Sequence, residues 1–274
     1  MMVMPELPEV EVIAQQLQRK VKGDRLLRMI VYDPSIWERD SLPPSFIKGS
    51  RVVRVFRRGK YLVLSGERGD LILHLRMTGR LVEVERKREG LHPRLVLVFS
   101  SGKLAFSDTR RLGKIRIVPS ALDWFQQKEL GPEPIPFRRK ALNALIHSAG
   151  KTRRPMKSLL LDQRVLAGLG NIYADESLHR AGIHPRTPAM DLTRERVSAL
   201  YRAIVEVLYE AILKGGTSIR DYLDLQGERG GFQSFLKVYG REGETCLSCG
   251  RGKIERIVLS GRSSFFCPLC QEPP

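Results

Sequence analysis

The sequence predicts an α+β protein: an N-terminal helix with an antiparallel β-sandwich, then a helical domain, then a β-hairpin finger that carries every cysteine. Three patterns predict it. Apolar residues recur every three or four positions at the start of the chain, short β-rich runs broken by turn signals fill residues 26–118, and helical periodicity returns after residue 138. Strands do not alternate with helices, which argues against a doubly wound parallel sheet.

Val10, Ile13, Ala14, Leu17 and Val21 place one apolar stripe on a helix from Pro8 to Lys22, with Pro8 suited to the first turn and Gly23 to the stop. Strands are expected over Arg51–Phe56, Tyr61–Leu64, Leu71–Leu75, Arg80–Glu85, Leu95–Phe99 and Lys114–Val118, separated by pairs such as Gly69-Asp70, Thr78-Gly79 and Ser101-Gly102. Gly131-Pro132-Glu133-Pro134-Ile135-Pro136 breaks any regular element and reads as a linker. Helices are expected beyond it over Arg139–Ser148, Met156–Asp162, Asn171–Arg180 and Leu192–Lys214. The expected domains are residues 1–131, 132–240 and 241–274.

The 274 residues carry 47 Lys and Arg against 30 Asp and Glu, a net charge of +17. The excess is spread widely: 25 basic against 16 acidic residues over 1–135, 17 against 10 over 136–240, and 5 against 4 over 241–274. A partner with dense negative charge, nucleic acid first, fits this balance, with an Arg-rich soluble surface as the plainer alternative. No run of 18 apolar residues and no signal-peptide pattern occurs, so a soluble, intracellular protein without membrane contact is expected.

Cys246-x-x-Cys249 and Cys267-x-x-Cys270 have the spacing by which two tight turns offer four thiolates to one tetrahedral Zn²⁺. Four protein ligands leave no position for a catalytic water, so the metal is expected to be structural. Lys253–Val258 and Ser263–Phe266 form the expected hairpin between the pairs, with Arg262 near its tip and within reach of a phosphate or a groove.

The opening Pro5-Glu6-Leu7-Pro8-Glu9-Val10-Glu11 has a plain reading, carboxylates favoured by the helix dipole. It also resembles the N-terminal signature of bacterial formamidopyrimidine-DNA glycosylase, the 8-oxoguanine DNA glycosylase family. The resemblance returns in order at Arg58-Gly59-Lys60-Tyr61, His74-Leu75-Arg76-Met77-Thr78-Gly79, Asp108-Thr109-Arg110-Arg111-Leu112-Gly113, Gly170-Asn171-Ile172-Tyr173-Ala174, Ala181-Gly182-Ile183-His184-Pro185 and the four cysteines.

The resemblance implies a sandwich followed by a helix-two-turns-helix domain and a zinc finger, in a monomer that works in the cytoplasm on the DNA of the nucleoid. It implies excision of oxidised purines, 8-oxoguanine and formamidopyrimidines, from double-stranded DNA, followed by strand cleavage through β,δ-elimination. Pro5 is the implied nucleophile, because an N-terminal proline is a secondary amine with a pKa near ~8 and is partly unprotonated at neutral pH. Glu6 is the implied proton-transfer residue and Glu9 a supporting carboxylate. Lys60, His74, Asn171 and Arg262 match phosphate-contacting positions, Lys60 and Arg262 being counted with the catalytic set. For Asn171, a helix N-terminus capped by the Asn side chain gives the physical reason. Tyr239 matches a further phosphate contact or is a packed aromatic. Met77, Arg110 and Leu112 occupy the wedge that fills the gap left by an extruded nucleotide, although Met77 also suits plain packing and Leu112 replaces the family's common Phe.

One departure matters chemically. Met1-Met2-Val3-Met4 precedes Pro5, and a proline nitrogen within an amide has a delocalised lone pair and cannot form an iminium. Met4-Pro5 is read as the true initiator followed by the mature first residue. Two alternatives stay open: a non-catalytic binder of damaged DNA, and an endonuclease VIII-like enzyme for oxidised pyrimidines. The Gly-rich stretch from Gly215 to Phe232 is read either as a loop closing over the extruded base or as a surface linker.

Overall fold

The computed structural model describes residues 4–84 and 92–273, so Met1–Val3 and Glu85, the last residue of one expected strand, lie outside it. The chain divides into two compact units, residues 1–128 with 214–233 and residues 129–213 with 234–274. The sequence reading instead keeps residues 214–233 within 132–240.

In the first unit, helix α1 (Leu7–Val21) precedes eight strands among the described residues. One antiparallel sheet runs in the order β2 (Val52–Arg58), β3 (Tyr61–Gly66), β4 (Asp70–His74), β8 (Lys114–Val118). The other runs β1 (Leu26–Val31), β6 (Pro93–Phe99), β7 (Gly102–Asp108), β5 (Gly79–Glu83). Alternation fills the core from both: Leu62 and Leu64, Leu71 and Leu73, Ile115 and Ile117 from the first sheet, and Leu95, Leu97, Leu104 and Phe106 from the second, all buried. Val10, Ile13, Ala14, Leu17 and Val21 of α1 belong to the same core. The turn after β4, which contains Met77, passes from one sheet to the other rather than closing a hairpin within either. Strand β8 leads into a short helix, α2 (Ala121–Gln126), whose first amide donates to Asp70 Oδ2 at 2.6 Å.

Residues 214–233 lack a long regular element yet are fastened to this unit. The Gln16 amide donates to Asp224 and accepts from the Leu225 N–H, Glu83 N–H donates to the Leu225 carbonyl, and Arg80 pairs with Asp221. Leu225 and Tyr222 are buried in the sandwich core. The segment is thus not a loose linker, because its own apolar residues are packed into the sandwich.

The second unit packs α3 (Arg139–Ala149), α4 (Met156–Leu160), α5 (Asn171–Arg180) and α6 (Arg194–Leu213), followed by the hairpin β9 (Glu255–Leu259) and β10 (Arg262–Phe266). Helix α5 is buried on nearly every side, and α6 presents Val197, Leu200, Tyr201, Ile204, Leu208 and Ala211 to the interior. No helix among the described residues is long and apolar enough to cross a membrane.

Leu17 is fully buried, whereas Val53 on β2 is exposed. Leu17→Ala is expected to destabilise the first unit by about 3 kcal/mol and Val53→Ala by less than about 0.5 kcal/mol, read from the shift in denaturant midpoint.

Candidate active site and metal centre

Helix α1 begins in a way that fixes its first residues. Glu6 occupies the N-cap in extended conformation, and its N–H donates to Glu9 Oε2 at 2.8 Å, the returning half of a capping box. The other Glu9 oxygen, Oε1, accepts the Thr217 N–H at 2.8 Å. One carboxylate thereby ties the helix start to the segment 214–233. Pro5, Glu6 and Glu9 are all buried, and Pro5 and Glu9 line a small pocket with Met4, Thr217, Ile219, Arg220, Asp221 and Tyr222. Burial, reinforced by the charges of Glu9 and Asp224, pushes the Tyr222 phenol above its ordinary value. Sequence reasoning marked the Gly-rich stretch 215–232 but assigned no site role to its five lining residues from 217–222. The signal lay in the flanking glycines: a Cβ at Gly230 would stand 2.3 Å from the Gly216 carbonyl oxygen, so two backbones meet there.

The wedge candidates Met77, Arg110 and Leu112 come together within the same unit. Arg110 Nη1 lies 4.0 Å from Met77 Sδ, with Arg110 exposed and the other two half-buried. Their positions are set by Asp108, which is fully buried. Asp108 accepts a short hydrogen bond from the Thr78 hydroxyl, the Arg110 N–H at 3.1 Å and the Gly113 N–H at 2.6 Å. Both loops contain an arginine in the left-handed region, Arg76 at φ 55° and Arg111 at φ 58°, and Arg111 pairs with Asp33 at 3.4 Å. Such conformations cost about 1–3 kcal/mol each and are held by the hydrogen bonds around them. The sequence contained Asp108 within a motif but gave it no role.

Lys60 and His74 are also neighbours. Lys60 is buried in the turn between β2 and β3, where Gly59 adopts φ 58° and Arg57 bonds both Glu11 and the Gly59 carbonyl. His74 ends β4, opposite Tyr61 in the strand register, with the two rings edge-on at 4.6 Å. Its Nδ1 accepts the Arg76 N–H at 3.1 Å, so the proton of the neutral ring sits on Nε2. Burial, with Arg76 and Lys60 adding to it, pushes the imidazole pKa down to about 3. His74 therefore offers an uncharged N–H donor to an anion.

In the second unit Asn171 is the first residue of α5 rather than its cap, a place taken by Gly170. The expected Asn cap is thereby corrected. Its Nδ2 instead donates to the Ser263 carbonyl at 2.8 Å, because the finger hairpin covers that end of the helix. The same hairpin is gripped from below by Lys157, which the sequence did not single out. Its Nζ donates to the Ser263 carbonyl and the Ser264 hydroxyl at 2.8 and 2.7 Å and pairs with Asp175 at 2.7 Å, while Asp175 accepts the Phe265 N–H. Burial pushes the Asp175 carboxyl up, to about 7, against the opposing pull of Lys157. Arg262 is exposed beside the turn Ser260-Gly261. Tyr239 is buried, its ring edge-on to Phe265 at 5.2 Å, as in the packed-aromatic alternative. Glu176 accepts three successive N–H groups, of Lys237, Val238 and Tyr239.

The sulfurs of Cys246, Cys249, Cys267 and Cys270 all lie within 4.8 Å of one another, with the 246–270 and 249–267 pairs at 3.8 Å. A tetrahedron with Zn–S bonds of about 2.3 Å has edges of about 3.8 Å, so the donor set fits one Zn²⁺. Gly252 is required beside it, since a Cβ there would meet Cys267 Sγ at 2.7 Å. When bound, the ion holds the two turns of the finger together and supplies no reaction chemistry.

The depressed His74 pKa has a definite sign. An unfolded histidine takes up a proton near pH 6.5, whereas the folded one resists protonation down to about 3. Its contribution to stability is complete above pH 6.5 and is lost as the pH falls from there toward 3. The His74 ring signal in NMR is expected to show no protonation between pH 7 and 5, and His74→Phe to remove this part of the acid sensitivity.

A model of the formamidopyrimidine-DNA glycosylase N-terminal domain matches residues 4–115, that of the formamidopyrimidine-DNA glycosylase H2TH domain residues 130–222, and that of the zinc finger found in FPG and IleRS residues 243–273. The chain is 43% identical over 275 residues to the formamidopyrimidine-DNA glycosylase of Desulfitobacterium hafniense, covering 98% of this chain and 100% of the relative. It is 44% identical over 287 residues to that of Paracoccus denitrificans, with the same coverage. Among solved structures, the MutM (Fpg) protein of Thermus thermophilus has a TM-score of 0.87 at 40% identity, covering 98% of this chain and 100% of that one. Lactococcus lactis Fpg bound to DNA containing an abasic site has a TM-score of 0.87 at 35% identity, with the same coverage. With three domain models matched in order and relatives aligned along nearly its whole length, the chain belongs to the formamidopyrimidine-DNA glycosylase family.

Proposed function

We propose that this DNA glycosylase excises oxidised purines from double-stranded DNA and then cleaves the strand at the vacated sugar, with the Pro5 nitrogen as nucleophile. The observation that carries the reading is the buried Pro5-Glu6 pair at the head of α1, fixed through Glu9 and adjoining the pocket formed with residues 217–222. Relatives of this fold are bound to DNA containing Fapy-dG and to DNA containing carbocyclic 8-oxoguanine, which supports an oxidised purine as the substrate.

In this mechanism the Pro5 lone pair forms a bond to C1′ while the glycosidic electrons leave with the base, which takes up a proton. The nitrogen then gives up its own proton, and the freed electron pair forms the C1′=N bond as the C1′–O4′ electrons go to O4′, where Glu6 delivers a proton. Because Pro5 is a secondary amine, the resulting iminium has no N–H to lose and its charge persists. Loss of a C2′ proton then expels the 3′-phosphate, and a second elimination expels the 5′-phosphate.

Lys60, His74, Asn171 and Arg262 hold phosphates in this reading, and Met77, Arg110 and Leu112 fill the space of the extruded nucleotide. Tyr239, being buried, supports the phosphate-binding surface from below. The scheme requires a free Pro5 nitrogen, hence a mature chain without Met1–Met4. That the N-terminal family model begins its match at Met4 supports this requirement.

Protein beginning at Pro5 is expected to nick a duplex carrying one 8-oxoguanine and to be trapped on it by borohydride, whereas protein retaining Met1–Met4 binds without trapping. Glu6→Gln is expected to lower turnover by about a hundredfold or more. Should the Pro5-initiated protein leave purine lesions intact but cut oxidised pyrimidines, the endonuclease VIII-like alternative replaces this one. Binding without cutting either would leave a damaged-DNA binder.

A further inference from the structure

His179, on the last turn of α5, is buried, and its Nε2 lies 3.7 Å from Cys246 Sγ, itself fully buried. In the metal-bound finger Cys246 is a thiolate, which carries no proton and accepts hydrogen bonds only. The contact therefore requires the proton on Nε2, making it an N–H···S hydrogen bond from imidazole to sulfur. The finger's own backbone also donates to these sulfurs, among them Ser248 N–H to Cys246 and Gly252 N–H to Cys249, both at 3.4 Å. His179 is different in kind: a side chain from the helical core, 67 positions before the cysteine it meets.

We propose that His179 is an outer-sphere partner of the zinc centre, which draws electron density from the Cys246 thiolate and slows release of the metal. Four thiolates around one dication leave two net negative charges on the cluster, so the sulfurs stay basic and open to protons and competing acceptors. A hydrogen bond from a rigid donor stabilises the sulfur lone pairs. It also fixes the sulfur in place, because His179 ends a run of buried residues on α5 that begins at Ile172. Partners in this position alter metal affinity by about 10–100-fold in other centres.

Intact zinc-loaded protein carrying His179→Phe, which fills the same space without a donor, is compared with His179→Gln, which keeps an N–H. Zinc transfer to an excess of a chromogenic chelator is expected to be about tenfold faster for His179→Phe and within about threefold of the parent for His179→Gln. In Co²⁺-substituted protein, the sulfur-to-cobalt charge-transfer band of His179→Phe is expected to move to lower energy, which a packing role would not produce. His179→Leu replaces the Phe variant if the latter fails to fold. Equal release rates with an unmoved band in the donorless variant overturn the proposal, as does equal acceleration in the donorless and Gln variants.

Discussion

Glu9 shows how the first unit is put together. Its carboxylate is almost fully withdrawn from water, and its two oxygens are divided between the helix that starts the chain and a segment more than 200 residues later. Both oxygens receive N–H groups, and a hydrogen bond to a buried charged group contributes about 1.5–3 kcal/mol. The pocket beside Pro5 therefore exists only when both distant pieces of sequence are in place.

The same device recurs at three other buried carboxylates near candidate functional side chains. Asp108 gathers the Arg110 and Gly113 amides and the Thr78 hydroxyl to shape the wedge loops, and Glu176 gathers three amides around Tyr239. Asp175, held by Lys157, receives an amide from the finger hairpin next to Arg262. In each case an acidic residue in a strongly basic protein is spent inward, on backbone donors. The cationic excess is left for the surface, where it favours a polyanionic partner.

Much of this was legible in the sequence where a pattern is local. The stripe of α1, the proline-rich break, the cysteine spacing and the finger hairpin follow from periodicity and turn chemistry, and the helices over 139–213 match to within a few residues. Strand β1, Leu-Leu-Arg-Met-Ile-Val, escaped because its apolar residues do not alternate, and β7 because Gly102 and Lys103 masked a short alternating run. The roles of Asp108, Lys157 and Glu176 escaped for a different reason: each is defined by amides far away in sequence. Asn171 was assigned its helix correctly but not its partner, since nothing local indicates that Ser263 lies over it.

The chain passes from the first unit to the second near residue 128 and returns for residues 214–233 before leaving again. The first unit is consequently not one uninterrupted stretch of gene. A fragment ended at the proline-rich break would lack the wall that meets Glu9, and a graft of the helical half alone would split that wall from its floor. Recombination in such a protein is constrained to exchange the whole coding sequence, or to cut at all three crossings, near residues 128, 213 and 233.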